Sequence, residues 1–231
     1  MSLVTLTFDN GPSVKTTPQV LDVLKERNLT AYFCLVGLQL EAGQAQLDIA
    51  KDTLARGHHL VNHSFTHGVA LGDDISDVHA SHEVTDMHDL LEEKLGDWGI
   101  RWFRPFGRGG ELGKHIFSVP AVQQLQALEY SVLLWNSVPR DWEDIDGWLE
   151  TALADIDNQD HTVVVLHDLN TGAMKHLPRF LDTLLERGDT ITTELPAACT
   201  PIIGGERQWS KSDFAELVQS ERQSHENVTN P

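Results

Sequence analysis

The 231-residue sequence predicts an α/β protein in which a parallel sheet is covered by helices. Short apolar runs alternate along the chain with longer segments whose apolar residues recur every three or four positions. Strict alternation of strands and helices is typical of parallel sheets. Because about seven such units follow one another in one chain, we expect a barrel, or a closed and distorted relative of one.

The predicted strands are the short apolar runs, and they lie at residues 3–8, 31–36, 59–62, 101–104, 130–135, 162–166 and 190–193. The first run stops at the acidic residue Asp9, before the turn sequence Asn-Gly-Pro. In parallel α/β sheets the chemistry gathers at the C-terminal ends of the strands. The residues that follow each strand are therefore the candidates for function.

The predicted helices carry their apolar residues on one face. These residues are Val20, Leu21, Val23 and Leu24; Leu47, Ile49, Ala50 and Leu54; Met87, Leu90, Leu91 and Leu95; Val122, Leu125 and Leu128; Leu149, Leu153 and Ile156; and Leu177, Phe180, Leu181, Leu184 and Leu185. Gly57, Gly96 and Gly188 predict the ends of three helices. We expect a single domain over residues 1–208, then a short helix and a polar tail over 209–231.

The composition excludes several classes of partner. Seventeen Lys and Arg against 35 Asp and Glu give a formal charge of −18, which repels nucleic acid and anionic membranes. No run of about 18 apolar residues predicts a membrane span. We find no signal peptide and expect a cytoplasmic protein, in which the glycosylation sequon at Asn227 is a chance match. Cys34 and Cys199 do not suggest a disulfide framework, and Cys34 is expected to be a buried small residue.

Two predicted strands are followed by residues that suit a metal site. The first delivers Asp9 and Asn10, and the third delivers His63 and His67. Two imidazoles four residues apart face the same way on one helical turn, which is a common way of holding one metal ion. Since this region contains several other histidines, the alternative is that the pair is not a ligand set.

The next three strand ends carry further candidates. Arg104 follows the fourth strand and could orient a buried carboxylate through a bidentate pair. Asp141 and Trp142 follow the fifth strand, and His167 follows the sixth. Each has a structural alternative: a surface arginine, an acid in a turn beside a core tryptophan, and a histidine that caps a strand.

In their order along the chain, these motifs resemble those of the polysaccharide deacetylase family, the NodB-homology or carbohydrate esterase 4 group. The family motifs TFDDG, H-[ST]-x-x-H, R-x-P-x-G, D-x-x-D-W and L-H have counterparts between Thr7 and Asp168. The resemblance implies a distorted (β/α) barrel of about seven parallel strands. It also implies a metal-dependent hydrolase that removes an acyl group from an N-acetylated sugar or a related amide or ester, acting on non-peptide carbon–nitrogen bonds.

The resemblance implies a role for each matching residue. The catalytic set would be the base Asp9, its partner Arg104, the general acid His167, and Asp141, which supports His167. The metal would be held by His63 and His67, with Asn10 at the third ligand position. The substrate pocket would include the backbone N–H near Phe106 at the oxyanion position, the wall Trp142, and Leu166 against the acyl methyl group.

The chain departs from the family pattern at three positions. Asn10 replaces the carboxylate ligand, Arg-Pro-Phe-Gly is one residue shorter than R-x-P-x-G, and Val138 stands where the first Asp of D-x-x-D-W is expected. A neutral amide holds a divalent ion less firmly than a carboxylate, and we expect affinity to fall by about tenfold or more. Asp73 or Asp74 could supply the missing charge, or Asn10 could deamidate.

We therefore expect one divalent ion, Zn²⁺ in the first place, with Co²⁺, Ni²⁺ or Mn²⁺ as alternatives. The leading hypothesis is an active deacetylase of carbohydrates or small molecules, weakened by Asn10. The alternative is a non-catalytic or metal-impaired relative that binds a carbohydrate or small ligand in the same cleft. The sequence does not identify the substrate or the oligomeric state.

Overall fold

The structure of the protein is a computed structural model that describes residues 1–220. Its strands are β1 (Leu3–Gly11), β2 (Tyr32–Leu35), β3 (His59–Asn62), β4 (Trp102–Phe103), β5 (Phe117–Ser118), β6 (Ser131–Val132), β7 (His161–His167), β8 (Thr190–Ile191), β9 (Ile202–Ile203), β10 (Glu206–Arg207) and β11 (Val218–Gln219). Seven of them form one parallel sheet in the order β6-β4-β3-β2-β1-β7, with β8 beside the start of β1. The seven predicted strands and their parallel arrangement are confirmed.

The sheet curls until its two ends approach each other. β6 and β7 are at opposite ends of the strand order, but the chain after β6 returns to β7 through a parallel bridge between Ser137 and Val164. The backbone N–H of Val165 donates to Ser137 O over 3.0 Å at the same place. These contacts join the ends into the distorted barrel that the motifs led us to expect. Because β4 and β6 are only two residues long, much of the fourth and fifth predicted strands lies outside the ladder.

The side chains of β1 alternate between two environments, as strand geometry requires. Val4, Leu6 and Phe8 pack in a core with apolar residues of the surrounding helices. Thr5, Thr7 and Asp9 are buried on the opposite face. The Thr7 hydroxyl donates to Val164 O over 2.8 Å, which satisfies it inside the barrel. The apolar face of β1 thus fixes the direction of Asp9.

The helices are α1 (Thr17–Glu26), α2 (Gly37–Leu40), α3 (Gln44–Ala55), α4 (Asp77–Ala80), α5 (Met87–Leu95), α6 (Val119–Ala127), α7 (Trp148–Asp157), α8 (Leu177–Arg187) and α9 (Lys211–Ala215). The longer ones cover the predicted amphipathic segments. Gly57, Gly96 and Gly188 stand just beyond three helix ends with positive φ, where a residue without Cβ is favoured. The sequence did not predict α2, α4 or the π-helix Ser81–Asp86 that precedes α5.

The end of the described chain packs on the barrel. Phe214 of α9 stacks on Phe117 with ring centroids 6.2 Å apart, and β11 pairs with β5. Within residues 1–220 no helix is long and apolar enough to cross a bilayer, and both cysteines are buried free thiols. Most of the predicted polar tail, including the sequon at Asn227, lies outside the described residues.

Candidate active site

A cleft of about 440 Å³ opens at the C-terminal ends of the sheet strands. Seven of the predicted site residues line it: Asp9, Asn10, His63, His67, Phe106, Trp142 and His167. Val138, one of the three departures from the family pattern, also lines it, and the lining residues that the sequence did not single out include Trp135, Arg140, Glu143, Val165 and Leu169. Arg104 and Asp141 are fully buried behind this wall. The strand ends therefore converge on one site.

Asp9 stands at the centre of the cleft between two nitrogen-bearing side chains. Its Oδ2 lies 3.6 Å from His63 Nε2 and 3.8 Å from a terminal nitrogen of Arg104. Burial alone would raise the pKa of Asp9, but nearby positive charge, that of Arg104 above all, lowers it. Asp9 is consequently an ionised carboxylate inside the protein.

Arg104 contacts Asp9 more loosely than the sequence suggested. A bidentate pair requires two hydrogen bonds, whereas a single ion-pair contact of 3.8 Å is present. None of the three side-chain nitrogens has a hydrogen-bond partner within residues 1–220, and the guanidinium carbon lies 5.4 Å from the centre of the Trp135 ring. The arginine therefore acts on Asp9 through its charge, and the bidentate prediction is wrong.

His167 and Asp141 form a tight pair. His167 Nδ1 donates to Asp141 Oδ1 over 2.8 Å, and the His167 backbone N–H donates to Asp141 Oδ2 over 2.9 Å. Burial would lower the pKa of His167, but the hydrogen bond and charge of Asp141 raise it above the ordinary value. Because Nδ1 is held by Asp141, Nε2 is the nitrogen left to serve the cleft, which is the geometry a general acid needs.

His63 and His67 lie on an irregular loop, so the prediction of a helical turn is wrong. The loop follows β3, and both Ser64 (φ 69°) and His67 (φ 53°) adopt left-handed backbone conformations. The His67 N–H donates to Ser64 Oγ over 3.2 Å. This fold still brings the two imidazole centroids within 4.8 Å of each other. The pairing of the rings is as predicted, but the backbone that produces it is different.

One hydrogen bond sets the tautomer of His63. Nδ1 lies 2.8 Å from the carbonyl oxygen of Arg104, which can only accept, so Nδ1 carries the proton. Nε2 is left with a lone pair on the side of Asp9. Burial lowers the pKa of His63 to about 3 and lowers that of His67 as well. Both rings are neutral near pH 7, as metal coordination requires.

Glu83 supports the same loop, and the sequence analysis missed it. It lies in the π-helix Ser81–Asp86, with only 1% of the residue exposed. Its Oε2 accepts the Thr66 N–H over 2.9 Å, and its Oε1 accepts the Thr66 hydroxyl over 2.5 Å. The available signal was a charged residue beside Val84, on the apolar side of a helical pattern.

Asn10 adopts φ 71°, a conformation that asparagine tolerates better than most residues. Its Oδ1 is buried with no hydrogen-bond partner within residues 1–220. In that same part of the chain, no three His, Cys, Asp or Glu side chains are placed to hold a metal ion. Asp73 pairs with Arg108 over 2.7 Å and does not line the cleft. A metal site here therefore depends on Asn10 as the third donor.

The donors that face this end of the cleft fit a divalent ion. His63 Nε2 offers a lone pair, and the neighbouring His67 ring is neutral. The buried amide oxygen of Asn10 has no hydrogen-bond partner within residues 1–220 and could bind a cation. All three are uncharged at neutral pH. Such a set can coordinate a cation. Because its members carry no negative charge, that charge must come from the nearby carboxylates of Asp9 and Glu83.

Aromatic rings form two walls of the cleft. The Trp142 ring meets the His167 ring edge-on at 4.7 Å, and the Phe106 ring stacks on His67 at 4.0 Å. The Phe106 N–H donates to no protein acceptor within the described chain. It remains available to a ligand, and the oxyanion assignment stays a prediction. Val138 lines the cleft as an apolar residue beside Gly110.

Leu166 does not line the cleft, so that prediction is wrong. It is fully buried in the core that also contains Phe8, on the helix side of the sheet. Successive residues of β7 point to opposite faces, so Leu166 cannot share a face with its neighbour His167. Val165, two residues before His167, occupies the cleft wall instead.

Asp168 is a second buried acid that the sequence analysis did not single out. It accepts the hydroxyl of Thr17, the first residue of α1. A Cβ at Gly11 would lie 2.7 Å from its carboxylate oxygens, so only glycine fits there. Burial raises the pKa of Asp168 to about 6. Asp168 thereby ties the end of β7 to the start of α1, and it packs against Gly11, the last residue of the strand that carries Asp9 and Asn10.

Comparison with known proteins agrees with this architecture. The family model for polysaccharide deacetylase matches residues 2–130. A protein of Bacillus cereus named peptidoglycan-N-acetylglucosamine deacetylase is 27% identical over 168 residues, which cover 72% of each chain.

Two solved structures share the fold. The Xyl-CE4 domain of a multidomain xylanase from the hindgut metagenome of Trinervitermes trinervoides has a TM-score of 0.67 at 24% identity, covering 83% of this chain and 86% of that one. A family 4 pseudoenzyme from Bacillus anthracis has a TM-score of 0.68 at 20% identity, covering 82% of this chain and 63% of that one. At these identities the likeness concerns the fold alone.

Proposed function

Because the chain belongs to the polysaccharide deacetylase family, we propose that it is a metal-dependent hydrolase that removes the acetyl group of an N-acetylated sugar. The observation that carries the proposal is the register of β1 and β7, in which Asp9 is the partner of His167. A base and an acid with opposite pKa shifts thereby share one cleft. The name of the Bacillus cereus relative supports a sugar amide as substrate.

Asp9 is the proposed general base. The charge of Arg104 keeps its carboxylate ionised despite burial, so it can accept a proton from a water molecule in the cleft. Its Oδ1 has no hydrogen-bond partner within residues 1–220 and is free to receive that proton. The water oxygen then attacks the acyl carbon.

His167 is the proposed general acid. Asp141 raises its pKa and fixes the ring through Nδ1, so the protonated ring presents Nε2–H to the leaving group. As the carbon–nitrogen bond breaks, His167 protonates the amine nitrogen. Acetate and the free amino sugar are the products. Val165 and Trp142 would exclude water around the acyl group.

His63, His67 and Asn10 are the proposed holders of one divalent ion. Two imidazoles favour Zn²⁺, although Co²⁺, Ni²⁺ and Mn²⁺ can use the same donors. When bound, the ion polarises the acyl carbonyl and makes a water molecule more acidic. Since the donor set is neutral, we expect metal retention to limit activity.

A second candidate function is the binding of a carbohydrate without its hydrolysis. The neutral Asn10 at the third ligand position favours it, and one fold relative is described as a pseudoenzyme. The complete Asp9, Arg104, Asp141 and His167 set argues against it, since a binding module gains little from paired acid and base groups.

The two functions are separated by an acyl-release assay on metal-free protein to which Zn²⁺ is added back. We expect acetate release from N-acetylglucosamine oligomers only after Zn²⁺ addition. If Zn²⁺ and the oligomers both bind but no acetate appears across acetylated sugars and small amides, the binding function is correct and hydrolysis is not.

A further inference from the structure

Both oxygens of the Glu83 carboxylate bind the loop that carries His63 and His67. Both of its oxygens accept hydrogen bonds from Thr66, one from the backbone N–H and one from the hydroxyl. This is the pattern of an ionised carboxylate, because neither oxygen donates. With 1% of the residue exposed, the charge is withdrawn from water and held by this one partner.

The loop needs such support because its backbone is in conformations that non-glycine residues rarely adopt. Ser64 and His67 both have positive φ, and Thr66 lies directly before His67. Left-handed conformations of residues with side chains persist where surrounding contacts hold them. The π-helix supplies a second contact to the same segment, since Asn62 Nδ2 donates to Val84 O over 3.1 Å while Asn62 Oδ1 accepts the Ser64 N–H over 3.0 Å.

Glu83 also matters for charge. The three metal donors are neutral, and a divalent ion beside them needs anionic groups close behind the ligands. Asp9 is one such group, but the proposed mechanism requires it as a base. Glu83 is a buried negative charge one residue from His67 through Thr66, and it is not needed for proton transfer.

We propose that Glu83 is a positioning residue for the metal site. Through Thr66 it holds His67 against Phe106, and its buried negative charge partly replaces the carboxylate charge that is missing at Asn10. This inference rests on the proposed metal-binding role of His67. The inference makes a statement about the position of the His67 ring in the metal-free protein as well as one about metal affinity. The positioning role can therefore be tested even if the proposed function fails.

The test compares Glu83→Ala and Glu83→Gln with Asp89→Asn, which removes an exposed acid from α5. The first readout is the ¹H NMR chemical shift of the His67 ring protons in metal-free protein. The ring current of the stacked Phe106 side chain displaces this shift. The second is the dissociation constant for Zn²⁺, measured by competition with a chelator. Thr66→Val would remove only the hydroxyl hydrogen bond and keep the backbone one. Glu83→Met removes both acceptors at similar side-chain size and serves if Glu83→Ala does not fold.

We expect Glu83→Ala to move the His67 shift toward its value in an unfolded peptide and to weaken Zn²⁺ binding by roughly 10- to 100-fold. Glu83→Gln can keep both contacts, with its Oε1 accepting the Thr66 N–H and its Nε2 donating to Thr66 Oγ1 in place of the bond that Glu83 accepts. It should therefore restore the ring shift but not the affinity. Asp89→Asn should change neither. An unaltered His67 shift in Glu83→Ala, or in Glu83→Met where the former does not fold, overturns the positioning role. Parent-like Zn²⁺ affinity in Glu83→Gln overturns the charge role. If the parent binds no Zn²⁺, the proposed function and the charge role both fail, and the His67 shift alone decides the positioning role.

Discussion

Asp9 and His167 are partners in the ladder between β1 and β7, adjacent strands of the parallel sheet. The residues are far apart in sequence, and the register that pairs Phe8 with Leu166 and Asp9 with His167 brings them together. Their separation is therefore fixed by strand hydrogen bonds and not by mobile loops. Sites on regular elements are held more accurately than sites on loops, which suits a reaction that passes protons between two groups.

Asp141→Asn should disturb the acid without disturbing the fold. Asparagine can keep a contact to the His167 ring but loses the charge that raises its pKa. The alkaline limb of the pH dependence of kcat should move to lower pH, because His167 loses its proton earlier, and kcat should fall on the order of 100-fold. Asp144→Asn, an exposed acid on the same segment, is the matched control. An alkaline limb that does not move contradicts the pairing.

Val165 and Leu166 offer a test of the corrected pocket wall. Val165→Ala should favour a propionyl over an acetyl substrate by roughly tenfold in kcat/KM relative to the parent, because it makes room for one methylene. Leu166→Ala should leave that ratio unchanged and lower the free energy of unfolding by about 2–5 kcal/mol, since it opens a cavity in the core. If Leu166→Ala changed the propionyl-to-acetyl ratio and Val165→Ala did not, Leu166 would line the pocket after all.

Asp168→Asn should change how stability depends on pH. Burial raises the Asp168 pKa to about 6, so the folded protein holds this proton more tightly than the unfolded chain does. The contribution is fully present below about pH 4 and is lost as pH rises through 6, by up to about 3 kcal/mol. Denaturant unfolding should show Asp168→Asn gaining stability relative to the parent between pH 4 and pH 7.5. Glu186→Gln, at an exposed position of α8, should give no such trend. Parallel curves for Asp168→Asn and the parent would exclude the raised pKa.

The sequence predicted the sheet well because hydrophobic runs and helical periods are local signals. It predicted the convergence of Asp9, His63, His67 and His167 because parallel strands end on one face. It misplaced Leu166 because the L-H pair was interpreted without the period-two alternation of β7, which points neighbouring residues to opposite faces of the sheet. It missed Glu83 and Asp168 because both act through Thr residues that are distant in sequence.

The chain around His63 was misjudged for a different reason. Spacing four residues apart is a helical signal, but Ser64 and His67 adopt left-handed conformations that depend on side-chain contacts. Two of those contacts are local hydrogen bonds from the backbone to the side-chain oxygens of Asn62 and Ser64, and the third comes from Glu83, which is more distant in sequence. Local turn hydrogen bonds, together with the tertiary contact from Glu83, therefore override the helical periodicity.

Asn10→Asp should strengthen the metal site. Aspartate tolerates the same positive φ and adds an anionic oxygen where Asn10 Oδ1 now lacks a partner. The dissociation constant for Zn²⁺ should fall by about tenfold or more, and turnover at limiting Zn²⁺ should rise. His63→Ala and His67→Ala should each weaken binding in the same titration. Tighter binding without faster hydrolysis would favour the carbohydrate-binding function, and an unchanged dissociation constant would show that residue 10 is not a ligand.

The most direct test of the account is the turnover of Asp9→Asn and His167→Ala on an N-acetylglucosamine oligomer at saturating Zn²⁺. Each variant should lose roughly 10²–10⁴ of kcat, while its thermal unfolding and the Zn²⁺ stoichiometry stay near those of the parent. Turnover close to that of the parent in either variant would contradict the assignment of Asp9 as the base and His167 as the acid.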